Sequence, residues 1–155
     1  MFLFISSVFI SGCDDSSSSS TGPDEPGQYT TRTALVTYVY DGDTIQVNGS
    51  EKVRYIGIDT PETGECYYWE AKLRNRELVD DRTVTLEVCN ADPTDQYGRT
   101  LAHINVDDQL VNSMLIEEGY ARALNIPPCT SRADMYTDLE TEARNNERGM
   151  WGKCY

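Results

Sequence analysis

Three β-branched and aromatic runs follow one another between residues 34 and 58 with little chain between them, and this limits the fold more than any other feature. Residues 34–40 are followed by Asp41-Gly42-Asp43, residues 44–47 by Asn48-Gly49, and residues 53–58 by Thr60-Pro61. Asp-Gly and Asn-Gly supply the left-handed backbone that two-residue hairpins need, so the runs are expected to form an antiparallel meander. Residues 83–88 alternate Val84, Leu86 and Val88 against Thr83, Thr85 and Glu87, the period of a half-buried strand, and residues 100–106 form another strand. Helical spacing over residues 69–81 puts Ala71, Asn75, Leu78 and Val79 on one side. Two further helices are expected at 111–118, stopped by Gly119, and at 132–147, stopped by Gly149. Five strands with a helix after the third imply an α+β fold: a small, partly open five-stranded Greek-key barrel of OB type with about three packed helices.

The chain has 155 residues, enough for one domain of ordinary size. Its 26 acidic residues outnumber 13 Lys and Arg, for a net charge of −13, which argues against a broad basic surface for nonspecific duplex binding. No run reaches the roughly 20 apolar residues of a membrane-spanning helix. Residues 1–12, MFLFISSVFISG, read as an export signal, and Ile10-Ser11-Gly12-Cys13 resembles a bacterial lipobox, with cleavage before Cys13 and lipidation of its thiol. An ordinary secretory signal is the alternative, and a basic n-region is missing. Residues 13–27 are rich in Ser and Asp, lack large apolar side chains, and read as a disordered tether. Asp14, Asp15, Asp24 and Glu25 carry four of the negative charges, leaving nine on the 28–155 domain. The expected location is the cell envelope or periplasm, with lipid anchoring to a bacterial membrane.

Apart from Cys13 there are four cysteines, Cys66, Cys89, Cys129 and Cys154, an even number in a chain expected to be exported. Two disulfides in any of three pairings are possible. The favoured pairing is Cys66 with Cys89 and Cys129 with Cys154, because the second would pin the C-terminal segment. A four-thiolate zinc site is the rival, although no C-x-x-C pair occurs.

Three polar clusters fall at turns and strand ends, where side chains can converge outside the core. Asp41-Gly42-Asp43-Thr44 offers two carboxylates of the hard type that calcium takes. Residues 53–62, VRYIGIDTPE, place Arg54 and Ile56 on one strand face and Asp59, Thr60 and Glu62 at the strand end. Asp95-Gln96-Tyr97-Gly98-Arg99 is a polar turn with an Arg entering a strand. Each alone also fits an ordinary turn or surface ion pair.

Together, in this order and spacing, and joined by Glu70-Ala71, the VNSMLIEEGYA helix and the closing ERGMW, the clusters resemble the staphylococcal nuclease family over roughly residues 33–155. The resemblance implies an OB-fold nuclease that uses calcium to cleave phosphodiesters of DNA and RNA, leaving 3′-phosphate ends. It implies that Asp43 and Asp59 bind calcium, with a backbone carbonyl from Thr60. Glu62 would be the general base, Arg54 and Arg99 would grip the scissile phosphate, and Tyr97 would hydrogen-bond a nucleotide phosphate. The expected substrate is nucleic acid, single-stranded by preference, and the expected assembly is a monomer with a lipid anchor at Cys13.

Such roles are chemically coherent. A phosphodiester under attack needs a positioned water, neutralised nonbridging oxygens and support for the leaving oxygen. Arginine forks meet phosphate oxygens bidentately. Several departures stand beside the match. Only residues 63–69 separate Glu62 from the helix, in place of the family's long basic loop. Gln96 stands where the family's prototype has Lys. Asn125 and Pro127 align with its two nucleotide-contacting tyrosines, so Tyr67, Tyr68 or Trp69 are the aromatic candidates for stacking; filling the barrel mouth is their other reading. The lone histidine, His103, reads as a structural strand residue. A catalytically weak module that binds nucleic acid or calcium is the alternative function, and a plain metal-binding lipoprotein a third. Arg54→Ala and Arg99→Ala are both expected to leave the fold intact.

Overall fold

In the computed structural model, which describes residues 28–155, the meander forms as its turn signals require. Strands β1 (Tyr29–Val39), β2 (Thr44–Val47) and β3 (Glu51–Tyr55) pair antiparallel in sequence order. Asn48 and Gly49 both take positive φ, 50° and 79°, the conformation a tight hairpin demands. Then follow β4 (Ile58–Asp59), α1 (Tyr68–Val79), β5 (Thr83–Cys89), β6 (Thr100–Val106), β7 (Gln109–Leu110), α2 (Val111–Glu117), β8 (Arg122–Ala123), α3 (Ala133–Asn145) and the single turn α4 (Met150–Lys153).

Strand β1 closes the barrel by serving two partners. Its first half, Tyr29–Leu35, pairs with β5; after an irregularity between Val36 and Tyr38 its second half pairs with β2. Such a break in register bends a strand and increases its twist. Parallel pairing of β3 with β6 completes the closed barrel of five strands, in the order β3-β2-β1-β5-β6. The barrel and helices α1, α2 and α3 form the OB-type α+β fold. Inside lie Val36, Ile45, Val53, Tyr55, Leu86 and Ile104, with Leu115 and Ile116 of α2 covering one end. Their burial, at about 25 cal/mol per Å2 of apolar surface, is the main source of stability.

The sequence expectations need correction at four places. Strand β1 starts at Tyr29 rather than Ala34, because the polar stretch YTTRT pairs with β5 along a half-exposed face. The run 53–58 is not one strand: β3 ends at Tyr55, and Gly57, at φ 78°, turns the chain into β4. A β-carbon there would lie 2.4 Å from the Tyr136 ring, so no other residue fits. Ile56 therefore does not continue the strand face of Arg54. Finally, the disulfides are Cys66–Cys154 and Cys89–Cys129, not the favoured pairing, and they leave no four-thiolate zinc site. The first joins the segment before α1 to the chain's end; the second joins the end of β5 to the loop after Pro128. The export signal, Cys13 and the tether lie outside the described residues. Among the described residues no helix is long and apolar enough to cross a membrane.

Candidate active site at the barrel mouth

The turn between β1 and β2 delivers Asp43 into the interior rather than to solvent. Gly42 makes this possible: a β-carbon there would sit 2.7 Å from the Thr60 side chain, so only glycine lets the turn press against the segment after β4. The Asp41 carboxylate accepts the Asp43 backbone N–H at 3.0 Å. Asp43 Oδ2 accepts the Thr60 N–H and the Thr60 hydroxyl, each at 2.9 Å, and Oδ1 accepts the Thr44 hydroxyl at 3.2 Å. Burial raises the Asp43 carboxyl well above the usual carboxylate range, and the nearby Asp41 adds to this; Arg54 and the two Thr60 hydrogen bonds pull the other way.

Arg54, on β3, holds the centre. Its Nη1 meets Asp43 Oδ2 at 2.7 Å and its Nη2 meets Asp59 Oδ1 at 3.1 Å, while Nη1 also donates to the carbonyls of Tyr55 and Ile58 at 3.2 Å. One guanidinium thus joins a carboxylate of the β1–β2 turn to one of β4. The Arg54 side chain is only 13% exposed, against 40% for Asp59. Asp59 faces outward and Asp43 faces in.

Arg54 also lines a cleft of about 500 Å3, as do Tyr97 and Arg99. Arg99 is held locally: its Nε meets Asp95 Oδ2 at 2.7 Å, while Asp95 Oδ1 accepts the N–H groups of Tyr97 and Arg99. Tyr97 is three-quarters exposed. Leu124, Ile126 and Pro127 line the same cleft, so Pro127 brings an aliphatic side chain there in place of an aromatic one, and Asn125 is not part of the lining. Glu62 does not line the cleft. It is exposed on a turn just beyond Thr60, where its N–H donates to Glu65 Oε2 and its carbonyl accepts the Glu65 N–H, both at 2.8 Å.

Of the aromatic candidates, Tyr67 stacks on Tyr120 and Tyr68 is buried against Trp69, which leaves Trp69 as the exposed ring. His103 lies in the core with Nδ1 on the Tyr136 hydroxyl at 2.8 Å, and burial pushes its pKa down to about 3. It faces no site residue named above.

Two buried asparagines brace the site, and their spacing alone gave them no such role. Asn75, on the inner face of α1, accepts the Tyr55 hydroxyl and donates to the Asp41 carbonyl, tying the helix to the acidic turn. Asn112, on α2, accepts the Ile104 N–H and donates to the Ile56 carbonyl, fixing the chain before Gly57. A polar residue on the apolar side of a helix was the available signal, since a buried amide must find partners.

The donor set fits a hard cation. Asp43 and Asp59 offer carboxylate oxygens held on one arginine, the Thr60 main chain lies against them, and no nitrogen or sulfur ligand is near in this set. Among the described residues no group of three or more His, Cys, Asp or Glu converges on a metal position. Since calcium takes six to eight oxygens, most of its shell would come from water and substrate.

The site is thus a closed OB-type barrel with paired acids on a buried arginine, and a second arginine lining the same cleft. The family model for the staphylococcal nuclease homologue matches residues 52–153. The SPβ prophage-derived endonuclease YokF of Bacillus subtilis is 41% identical over 123 residues, covering 73% of this chain and 42% of the relative. Endonuclease YncB of the same organism is 40% identical over 123 residues, covering 73% and 58%. A thermonuclease of Staphylococcus intermedius is 35% identical over 126 residues, covering 76% and 74%. This chain belongs to the staphylococcal nuclease family. It spans about half the length of the two Bacillus subtilis relatives.

Proposed function

We propose that this protein is a hydrolase of phosphodiester bonds, acting on DNA and RNA in a calcium-dependent reaction with single strands preferred. The observation that carries this reading is the position of Arg54, which binds Asp43 and Asp59 and also faces the cleft that holds Arg99 and Tyr97. The nuclease names of three relatives support it.

In this reading Asp43, Asp59 and the Thr60 carbonyl hold calcium, which supplies neutralisation of phosphate charge and orientation of water when bound. Arg54 and Arg99 take nonbridging phosphate oxygens in planar, bidentate contacts and fix the phosphorus within the cleft. Glu62, exposed on its turn, accepts the proton of the attacking water. As the water oxygen bonds to phosphorus, the bond to the 5′ oxygen breaks, that oxygen takes up a proton, and the 3′-phosphate remains. Arg99 supports the charge that develops there. Tyr97 donates its hydroxyl to a neighbouring phosphate. The negative domain surface opposes encounter with a polyanion, so a high KM at low salt belongs to the proposal.

We place the protein at the cell envelope as a monomer, lipid-anchored through Cys13 to a bacterial membrane, on the strength of the apolar leader and lipobox-like tetrad.

The test is degradation of single-stranded DNA with excess calcium, with excess chelator, and with Glu62→Gln. Cleavage should require calcium, and the variant should lose on the order of 10²-fold or more in kcat. Equal activity in chelator would overturn calcium dependence; calcium binding without cleavage would favour the binding module instead.

A further inference from the structure

Helix α1 exposes two chemically different sides. At 3.6 residues per turn Trp69, Lys72, Leu73 and Arg76 project together, while Glu70, Arg74 and Glu77 project from another side. The first side is basic and apolar: Trp69 is 65% and Leu73 55% exposed, and the Lys72 ammonium lies 5.8 Å from the Trp69 ring centre. Arg76 stands at its far end, and α1 packs against β1, the strand that carries Tyr38. There a second aromatic group begins. Tyr38 is half exposed and its ring meets Tyr40 at 4.9 Å; Lys52 sits 4.5 Å over the Tyr40 ring. The register explains the grouping, since Tyr38 is opposite Gln46, and Gln46 is opposite Lys52.

From these contacts we propose an aromatic and basic track, made by Tyr38, Tyr40, Lys52, Trp69, Lys72 and Arg76, that binds the unpaired bases and backbone of a single-stranded nucleic acid. Exposed rings beside cations are what sequence-tolerant single-strand binding uses: rings stack bases and cations meet phosphates. Three cations here stand out on a domain with a net charge of −9. Of the three, Arg76 is paired with Asp80 at 2.7 Å, and no acid is bonded to Lys52 or Lys72 among the ion pairs of the described residues. The track adjoins the candidate active site along the chain. Tyr40 immediately precedes Asp41, and Trp69 opens the helix that follows the Glu62 turn. Its role in cleavage rests on the nuclease reading, whereas its capacity to bind does not.

The test uses the full chain and a 20-nucleotide oligothymidylate in chelator, followed by tryptophan quenching and by anisotropy of a labelled strand. Tyr38→Ala and Trp69→Ala should each weaken binding about tenfold. Lys52→Ala should lower the slope of log affinity against log salt by about 0.7, the share of one phosphate contact on a single strand. All three positions are exposed, so the variants should unfold like the parent. With calcium, cleavage of a thymidine dinucleotide should be unchanged in Tyr38→Ala and Lys52→Ala, while KM for the 20-mer rises in all three. Unchanged 20-mer affinity in the variants would overturn the track. So would a parallel loss of dinucleotide cleavage, which would assign the residues to the active site, or a dimer dissociated by the same substitutions at unchanged affinity, which would assign the strip to self-association. A wild-type chain that cleaves neither substrate would sink the nuclease reading, and 20-mer binding would still decide the track.

Discussion

Arg54 and Arg99 face the same cleft but are held in opposite ways. Arg54 is rooted in the barrel: its guanidinium is buried, and two carboxylates and two carbonyls from three segments of chain converge on it. Arg99 depends on its own turn, through one carboxylate four residues back, and its side chain is 27% exposed. The first arginine belongs to the fold and the site at once; the second belongs to a loop that the barrel presents. A buried charge can be removed only by leaving its partners uncompensated, whereas a rim charge can be removed with water taking its place. The two should therefore separate stability from activity.

Arg54→Ala carries the largest expected effect. It leaves Asp43 in the interior without its cation and should cost about 3–5 kcal/mol of stability, the range for breaking a buried pair, in addition to activity. The buried contacts of Arg54 thus add a stability cost to the expectation that the substitution leaves the fold intact. Urea unfolding with and without calcium measures it, and a variant as stable as the parent would break the comparison. Arg99→Ala should instead lower kcat by about 3 kcal/mol of transition-state stabilisation while changing stability by less than about 1 kcal/mol. Parallel losses of stability in the two variants would mean that the Asp95 turn is part of the barrel's cooperative unit.

The same contrast decides what could be read from the sequence. The meander was legible because Asp-Gly and Asn-Gly fix hairpins locally, and the inner face of α1 because Ala71, Asn75, Leu78 and Val79 keep the helical period. Glycine 42 was legible as a turn residue, but its closeness to Thr60 was not, because that contact joins separate segments. Cysteine pairing failed for a similar reason. Cys66 and Cys154 are 88 residues apart, and the packing of α3 on α2 and of α4 on α3 brings the second toward the first. The polar start of β1 was invisible because its partner, β5, lies more than 40 residues downstream, and a strand paired at its edge needs no apolar run. Among site residues, Asp43, Arg54 and Asp59 proved to be one bonded cluster, while Glu62 stands outside the cleft lining. Asn75 and Asn112 act through hydrogen bonds across long chain separations, which no local pattern encodes.

The smallest and sharpest test acts on the holder of Arg99. Asp95 makes three bonds: Oδ1 accepts the N–H groups of Tyr97 at 2.9 Å and Arg99 at 3.0 Å, and Oδ2 accepts Arg99 Nε. Partial burial works to raise its pKa, but the Arg99 and Tyr97 hydrogen bonds and the guanidinium outweigh it and hold the carboxyl below its ordinary range. A depressed folded value means stability that is present above the unfolded pKa, about 3.9, and lost as pH falls through the folded one. Asp95→Asn keeps one oxygen for the two backbone N–H groups and loses only the charged contact. The pair is partly solvated, so the cost should be about 1 kcal/mol or less near neutrality and should vanish once pH falls below the depressed folded value, where the parent also loses it. Gly98, at φ 75°, still closes the turn, so Arg99 stays at the cleft with more freedom and kcat falls only several-fold. If Asp95→Asn were as inactive as Arg99→Ala, the carboxylate would take part in the reaction rather than hold the arginine, and the rim would be no less committed to chemistry than the buried centre.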